Sequence, residues 1–351
     1  MFAVNIKNYI MKNRSEIPMN KFLFLIILLL FPFFFVSCSK SDSESEYDGN
    51  WIERSDFEGV PRSDAVSFVV GNYGYIGTGY DGDDQLKDFW EYDVNRDTWM
   101  QKADLPANAR NGAVAFATDQ KGYVCTGYDG NQKLNDLWEF DPNTNVWVEK
   151  TSFPGSGRYG AISFSISNKG YIGSGYDGNY LKDFWEYDPS NDIWTQKVSI
   201  RGSKRRNAIG FALDGKGYVC TGVDNGSYES DFWEYDPLMD TWTEKRSISN
   251  ATDEDFDNDY SSIVGINKVA FVIDGKAYLA TGGTSTSVTV WEWDPTTDLW
   301  ILKTDFEGTD RIEAVAFTIS GRGFVATGRN SSYFFDDIWE FKPFDEYNEY
   351  D

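Results

Sequence analysis

The chain has 351 residues, a formal net charge of −24 and no histidine. Its length suits one large domain or two small ones, and so negative a surface repels phosphate backbones, which argues against nucleic acid as a partner. The lack of histidine excludes Ser-His and Cys-His catalytic pairs and removes the most common transition-metal ligand, so we expect neither a metal nor a cofactor.

The N-terminus contains a hydrophobic run of fifteen residues, FLFLIILLLFPFFFV, over 22–36. A membrane-spanning helix needs about 20 apolar residues. The run follows a lysine and precedes Ser37-Cys38, as the hydrophobic part of a secretion signal precedes its cleavage site. We therefore predict a signal peptide over 1–37, for which Met19 is an alternative start.

The residues around Cys38 resemble the lipobox of bacterial lipoproteins, with Val36-Ser37-Cys38 in place and Phe35 where leucine is usual. The resemblance implies a lipid on the Cys38 thiol; the alternative is an ordinary signal peptide with an incidental cysteine. Residues 38–49 are polar and acidic, which predicts a flexible tether. Such an acidic tract resembles the surface-export signal of Bacteroidetes lipoproteins. It implies an outer-membrane lipoprotein at the cell surface, held by its lipid alone, with the periplasm as the alternative.

Beyond the tether, tryptophan recurs in two columns, the first at intervals of 47 to 58 residues. A period of this size is typical of β-propellers. Two tryptophans give every repeat large apolar side chains, which neighbouring repeats must cover. The first column is Trp51, Trp99, Trp147, Trp194, Trp242 and Trp300, and the second is Trp90, Trp138, Trp185, Trp233, Trp291 and Trp339.

Each repeat contains four short β-strands, labelled a to d. In the second repeat, strand a is AVAFAT from Ala113, strand b is GYVCTG from Gly122, and strand c is DLWEF from Asp136. An Asp-Gly turn separates strands b and c, and strand d follows a second turn at Trp147. The strands alternate apolar and polar residues without helical periodicity, so each repeat is predicted to be an antiparallel four-stranded sheet.

The two ends of the repeat region complement each other. The last repeat has a strand c at Ile338 but no strand d after it, and the region begins with a spare strand d at Trp51. We therefore predict an all-β fold, a six-bladed β-propeller over 50–345 whose N-terminal strand completes the last blade. An acidic tail follows over 346–351.

The repeats resemble Kelch repeats, as in galactose-oxidase-like and sialic-acid-mutarotase-like propellers. The resemblance rests on a glycine after strand b, a strand c of the form Asp-φ-Trp-x-Tyr-Asp-Pro, and the later tryptophan. It implies a Kelch-type propeller, a fold that carries both binding proteins and enzymes; the histidine-ligated copper of galactose oxidase is excluded. The first glycine of the usual pair is replaced by Thr78, Thr126, Ser174, Thr221, Thr281 and Thr327.

Arginine precedes strand a in five of the six repeats. Because strand a lines the channel of a propeller, five guanidiniums at the channel mouth would suit carboxylates or sulfated sugars. The alternative is a ring of salt bridges, since five aspartates precede strand c and both residues are missing from repeat 5. The arginines are Arg62, Arg110, Arg158, Arg205 and Arg311, and the aspartates are Asp88, Asp136, Asp183, Asp231 and Asp337.

A variable column follows the glycine of strand b on the same face, and it contains Tyr80, Tyr128, Tyr176 and Arg329. Variable loop positions often determine specificity, and tyrosine beside arginine suits stacking on sugar rings or anchoring a protein loop. The alternative is that each tyrosine packs over its own turn.

Two further groups have less specific patterns. Cys125 and Cys220 occupy a column that is otherwise glycine or alanine, which indicates buried packing. The extra residues of repeat 5 include acidic side chains over 253–259 that could bind calcium, although a solvated acidic loop fits them better.

The sequence supports two functions. The first is a monomeric, lipid-anchored binding module that recognises a glycan or protein ligand on the face of the d–a and b–c loops, with anionic ligands among the candidates. The alternative is a metal-free carbohydrate-active enzyme resembling a sialic acid mutarotase or epimerase. An unrepeated aspartate or glutamate at the mouth with a raised pKa would favour the enzyme, and a mouth of paired arginines and tyrosines would favour the binding module.

Overall fold

The computed structural model describes residues 48–248, 263–283, 287–331, 333–348 and 350. The predicted signal peptide, Cys38, the tether up to residue 47 and the acidic loop over 253–259 lie outside these ranges. Within them, no helix is long and apolar enough to cross a membrane.

The innermost strand of each blade alternates in burial. In Val66–Val70 the first, third and fifth residues are buried and the other two are half-buried. Successive side chains of a strand point to opposite faces, so one face of this strand lines the channel and the other enters the core.

The first three blades follow one another in the chain, each a sheet in sequence order. Blade 1 consists of β2 (Val66–Val70), β3 (Tyr73–Gly77), β4 (Phe89–Asp93) and β5 (Thr98–Lys102); blade 2 of β6 (Val114–Ala117), β7 (Gly122–Cys125), β8 (Leu137–Asp141) and β9 (Val146–Lys150); and blade 3 of β10 (Ile162–Ile166), β11 (Lys169–Gly173), β12 (Phe184–Asp188) and β13 (Ile193–Lys197).

Blades 4 to 6 repeat the pattern, with two short hairpins added between strands b and c. Blade 4 consists of β14 (Ile209–Leu213), β15 (Lys216–Cys220), β18 (Phe232–Asp236) and β19 (Thr241–Lys245); blade 5 of β20 (Val269–Ile273), β21 (Lys276–Ala280), β22 (Val290–Asp294) and β23 (Leu299–Lys303); and blade 6 of β24 (Val315–Ile319), β25 (Arg322–Ala326), β28 (Ile338–Lys342) and β1 (Asn50–Glu53). The hairpins are β16 (Val223–Asp224) with β17 (Ser227–Tyr228), and β26 (Arg329–Asn330) with β27 (Tyr333–Phe334).

The N-terminal strand closes the circle. β1 pairs antiparallel with β28, placing Trp51 opposite Phe341 and Glu53 opposite Trp339. Trp51 is fully buried and packs edge-to-face against Phe306 of the preceding blade, with ring centroids 4.9 Å apart. The predicted all-β, six-bladed propeller with an N-terminal strand in the last blade is therefore confirmed.

The core is divided into layers between neighbouring blades. Between blades 1 and 2, Phe68 stacks on Tyr75 at 5.0 Å and contacts Phe140 of the next blade at 6.5 Å. Phe68 also lies against Gly122 of strand β7, where an added Cβ would stand 2.1 Å from its ring. Glycine occupies this position of strand b in five blades, because the phenylalanine of the preceding blade fills the space of a side chain.

The repeated polar residues bind one another within each blade. Tyr75 donates a hydrogen bond to Glu91 at 2.5 Å, and Lys102 lies 3.2 Å from the same carboxylate.

Cys125 and Cys220 are buried free thiols. The strand c tryptophans of blades 1 to 4 and 6 are only half-buried, so the strand d column supplies more of the core.

Candidate functional site

The connections before strand a and after strand b meet on one face of the propeller, which we call the mouth. In blade 1 the backbones of Ser63 and Tyr80 exchange two hydrogen bonds of 2.9 Å. The equivalent bridges join Asn111 to Tyr128 and Tyr159 to Tyr176. The two loop types therefore share a face, and the variable columns stand side by side there.

The five predicted arginines lie inside the blades rather than at the open mouth. Arg110 is fully buried, and its Nη1 and Nη2 donate to the two carboxylate oxygens of Asp136 at 2.6 and 2.7 Å. Nη1 also donates to the carbonyl of Thr126 and Nε to that of Asn108. The other four are at most 1% exposed and paired in the same way: Arg62 with Asp88, Arg158 with Asp183, Arg205 with Asp231 and Arg311 with Asp337.

This pairing corrects the prediction of an open positive ring. Burial opposes ionisation of Asp136, but the hydrogen bonds and charge of Arg110 outweigh it and lower the pKa of that carboxyl. The indole of Trp138 also donates to Asp136, at 2.8 Å. Each arginine thus ties a loop to strand c, and its guanidinium presents no open face to a ligand.

A hydrogen-bonded circle of left-handed residues surrounds the mouth, one from each blade. Four of its amides donate to the preceding member over 2.8 to 3.3 Å, and the amide of Asp64 donates to the carbonyl of Glu313 at 3.0 Å. Residues other than glycine, asparagine and aspartate rarely adopt this conformation, so Glu313 is held there by its surroundings. The members, with φ between 51° and 60°, are Asp64, Gly112, Gly160, Asn207, Asn267 and Glu313.

Asp64 and Glu313 form an acidic pair in a cleft of about 650 Å³ at the mouth. Burial, followed by the charge of Glu313, raises the pKa of Asp64 to about 7. The hydrogen bond from Asn111 and the charges of Arg329 and Arg206 lower this pKa but do not outweigh the first two causes. Asp64 is half-buried and faces the cleft. An acid occupies this position in two of the six blades only, so the pair is not part of the repeated scaffold.

Arg329 binds the second acid of this pair. Its Nε and Nη2 donate to the carboxylate of Glu313 at 2.6 and 3.1 Å, and Asn267 donates to the same group at 3.3 Å. Arg329 lines the cleft as predicted from its column, but much of its charge is balanced by Glu313.

The three predicted tyrosines lie at the mouth in two different environments. The hydroxyl groups of Tyr80 and Tyr128 donate to the carbonyls of their own turns, Gly82 and Gly130, at 2.5 and 2.6 Å. These two follow the alternative of packing over the turn. Tyr176 instead contacts other aromatic side chains of neighbouring loops.

The sequence pointed to Tyr176 but not to the side chains that surround it. Its ring lies 5.7 Å from Tyr159 and 5.1 Å from Tyr180, and the guanidinium of Arg206 lies 5.1 Å from its centroid. Arg206 also stands over Tyr159 and Tyr180 at 5.5 and 5.7 Å, and its Nη1 donates to the Tyr159 hydroxyl at 2.5 Å. We call Tyr159, Tyr176, Tyr180 and Arg206 the tyrosine–arginine cluster.

Arg206 differs from its neighbour Arg205 in its partners. Its Nε is buried without a hydrogen-bond partner, and no carboxylate of the described residues lies within ion-pair distance of it. Arg206 occupies the column directly after the paired arginines, which reads Ser63, Asn111, Tyr159, Arg206, Ile266 and Ile312. The variability of that column was the signal that could have identified it.

The described part of the chain contains no group of three or more carboxylates or cysteines that could hold a metal ion. The mouth therefore offers two kinds of chemistry: an acidic cleft at blades 6 and 1, and the tyrosine–arginine cluster at blades 3 and 4. The two are electrostatically linked, because the charge of Arg206 lowers the pKa of Asp64.

Comparison with known proteins supports the fold. Residues 52–208 match the model of the KLHDC2/KLHL20/DRC7 Kelch-repeats domain. The solved structure of YjhT is similar with a TM-score of 0.69 and 16% identity, covering 81% of this chain and 95% of that one. No curated protein matches the chain. At this identity the likeness to YjhT shows the fold alone.

Proposed function

We propose that the protein binds an anionic saccharide at the mouth of its channel. The observation that carries the proposal is Arg206, a cation among tyrosines with a buried Nε that lacks a partner and with no carboxylate of the described residues beside it. Guanidinium groups bind carboxylates and sulfates through paired donors. An anionic group of the ligand would give this guanidinium the counter-charge that the described residues do not supply.

The tyrosines suit the apolar face of a sugar ring. Tyr159, Tyr176 and Tyr180 are all half-buried, so each keeps part of its surface open at the mouth. Aromatic side chains with a polar tip contact both the CH faces and the hydroxyl groups of a ligand. A neighbouring cation then distinguishes an acidic sugar from a neutral one.

The acidic cleft opposite would orient the ligand. Asp64 and Glu313 repel an anionic group and accept hydrogen bonds from hydroxyl groups. We infer that the anionic end of the saccharide lies at blades 3 and 4 and that its hydroxyl-rich end lies at blades 6 and 1. Anchoring at the cell envelope through Cys38 would present this face to glycans outside the cell.

A glycan array incubated with the protein tests this function. We expect acidic glycans to bind and their neutral counterparts to bind weakly, and we expect Arg206→Met to lose the acidic signals. Binding to neutral glycans only, or an unchanged pattern for Arg206→Met, would contradict the proposal.

A second candidate function is mutarotation of a sugar, and Asp64 is the observation that favours it. Ring opening removes a proton from the anomeric hydroxyl and delivers one to the ring oxygen, and ring closure reverses both transfers. A carboxyl group with a pKa of about 7 can donate or accept a proton at neutral pH. The substrate of this second function would therefore be a reducing sugar whose anomeric carbon lies in the acidic cleft.

Anomer exchange measured by NMR tests this candidate. We expect the protein to accelerate exchange of an acidic reducing sugar, and Asp64→Asn to abolish the acceleration. Asp83→Asn, on an exposed turn of the same cleft, is the matched control. Exchange at the uncatalysed rate would leave the protein as a binding module.

A further inference from the structure

Blade 5 departs from the other blades at three coordinated positions. Gly265 replaces the paired arginine, Thr289 replaces the aspartate, and Lys268 replaces the first alanine of strand a. Lys268 is 9% exposed. Among the residues that line the central part of the channel it is the one ionisable side chain, the rest being Ala, Val, Ile, Ser and Gly.

Lys268 supplies a cation in place of the arginine of the missing arginine–aspartate pair. Its Nζ donates to the carbonyl of Thr281 at 3.1 Å. In blades 1 and 6 the equivalent carbonyls, of Thr78 and Thr327, accept from arginine Nη1 at 3.0 and 2.9 Å. The ammonium of Lys268 therefore donates to the carbonyl whose equivalents accept from a guanidinium nitrogen in the other blades.

The carboxylate half of the pair is missing. Thr289 carries a hydroxyl group, which lies 2.9 Å from the hydroxyl of Ser287, and no carboxylate of the described residues pairs with Lys268. Cys220, a thiol, is the titratable group that acts on it, and burial lowers the pKa of Lys268 to about 8. A buried cation is costly without a counter-charge, so an anion bound beside Lys268 would be stabilising.

In the other blades, the position of the aspartate that blade 5 lacks is accessible to solvent. There the aspartate side chains are 18 to 24% exposed. Thr289 is likewise half-buried rather than sealed in the blade. An anion in solution can therefore approach from the side on which the aspartates stand.

We propose that blade 5 contains a carboxylate-binding site, in which a carboxylate of a ligand lies between Lys268 and Thr289 and replaces the aspartate of the other five blades. The site is separate from the tyrosine–arginine cluster and needs no sugar ring, so it stands or falls independently of saccharide binding.

Acetate is a suitable probe, because it is the side chain of the missing aspartate without its backbone. The melting temperature is measured in sodium acetate and in sodium chloride of equal ionic strength at pH 7. A ligand that binds only the folded state raises the melting temperature, so we expect acetate to raise it in the wild-type protein.

Two substitutions identify the site. Thr289→Asp supplies the carboxylate within the chain, so it should raise the melting temperature in chloride and remove the response to acetate. Lys268→Met should also remove the response, whereas Arg206→Met should keep it. The proposal is overturned if acetate does not raise the melting temperature of wild type, or if the response persists in Thr289→Asp. Thr289→Asp keeps Lys268, so its folding is not affected by the loss of a cation.

A shift of the Thr281 amide signal in the NMR spectrum gives a second readout in the unmodified protein. Titration with acetate should move this signal in wild type and leave it in place in Thr289→Asp. Equal shifts in both proteins would show that acetate binds elsewhere.

Discussion

Asp64 holds its proton more tightly in the folded protein than in the unfolded chain. Its pKa rises from 3.8 to about 7 on folding, so between about pH 4 and pH 7 the unfolded chain binds fewer protons. Stability contributed by this group therefore falls as the pH rises through that window. We predict that Asp64→Asn flattens the decline, as measured by urea unfolding at a series of pH values.

Asp83→Asn is the control for that measurement, since Asp83 is exposed on the rim of the same cleft. It should leave the pH dependence as in wild type. A decline that is unchanged in Asp64→Asn would mean that Asp64 ionises normally in the fold.

The paired arginines should act on stability rather than on ligand binding. Arg110→Met leaves Asp136 as a carboxylate without its buried partner, which typically costs about 3–5 kcal/mol. Arg96→Met is the matched control, because Arg96 is exposed and lies 3.6 Å from Asp93 in a surface pair, worth at most about 1 kcal/mol. Denaturant unfolding of both variants checks this difference, and equal effects would contradict it.

At the scale of the strand, β1 links the start of the propeller to its end. Trp51→Ala removes a fully buried indole, which should cost about 3–5 kcal/mol. The loss should also loosen the pairing of β1 with β28. We predict faster amide hydrogen exchange in β28, with Trp194→Ala as a control at a half-buried tryptophan of blade 3.

The exchange pattern distinguishes closure from general destabilisation. Trp51→Ala should affect β28 more than the strands of blade 3, and Trp194→Ala should do the reverse. Equal exchange in β28 for both variants would argue against β1 as the closing strand.

The repeated residues allowed the fold to be predicted, because each of them performs the same task in several blades, and the tryptophans do so in all six. Tryptophan columns, Asp-Gly turns and the unpaired strand at Trp51 indicate blades and their closure without reference to any one contact. The same regularity shows why Arg110 is structural: a residue that recurs with its aspartate partner is part of the scaffold.

The site could be predicted only in part, because its residues do not repeat. Tyr176 was found from a variable column, but Arg206 and Asp64 were not. Asp64 is identified by a positive φ of 51° and by its proximity to Glu313, which is 249 residues away in the chain. Neither the backbone conformation nor that contact can be read from spacing.

At the scale of the whole molecule, charge is distributed unevenly over an acidic protein. The chain has a net charge of −24, yet Arg206 and Lys268 stand in neighbouring blades without carboxylate partners among the described residues. Anions are repelled by most of the surface, and salt screens this repulsion as well as the attraction to the local cations. The affinity of an anion for the mouth should therefore fall less with added salt than its affinity for a positively charged surface would. Selectivity then depends on these local cations.

The proposed anchor is tested in cells. We predict that the wild-type protein partitions into detergent with the outer membrane, and that Cys38→Ala does not. Protease treatment of intact cells should release the propeller if it faces outward. Detergent partitioning that is unaffected by Cys38→Ala would contradict lipid attachment at this residue.

The central claim is that Arg206 recognises an anionic group on a saccharide, and calorimetric titration tests it most directly. An acidic glycan selected on the array is compared with its carboxyl-reduced, neutral form against wild type, Arg206→Met and Arg96→Met. We predict that wild type and Arg96→Met bind the acidic form at least about tenfold more tightly, a difference of about 1.4 kcal/mol, and that Arg206→Met does not discriminate. A preference retained in Arg206→Met would contradict the claim.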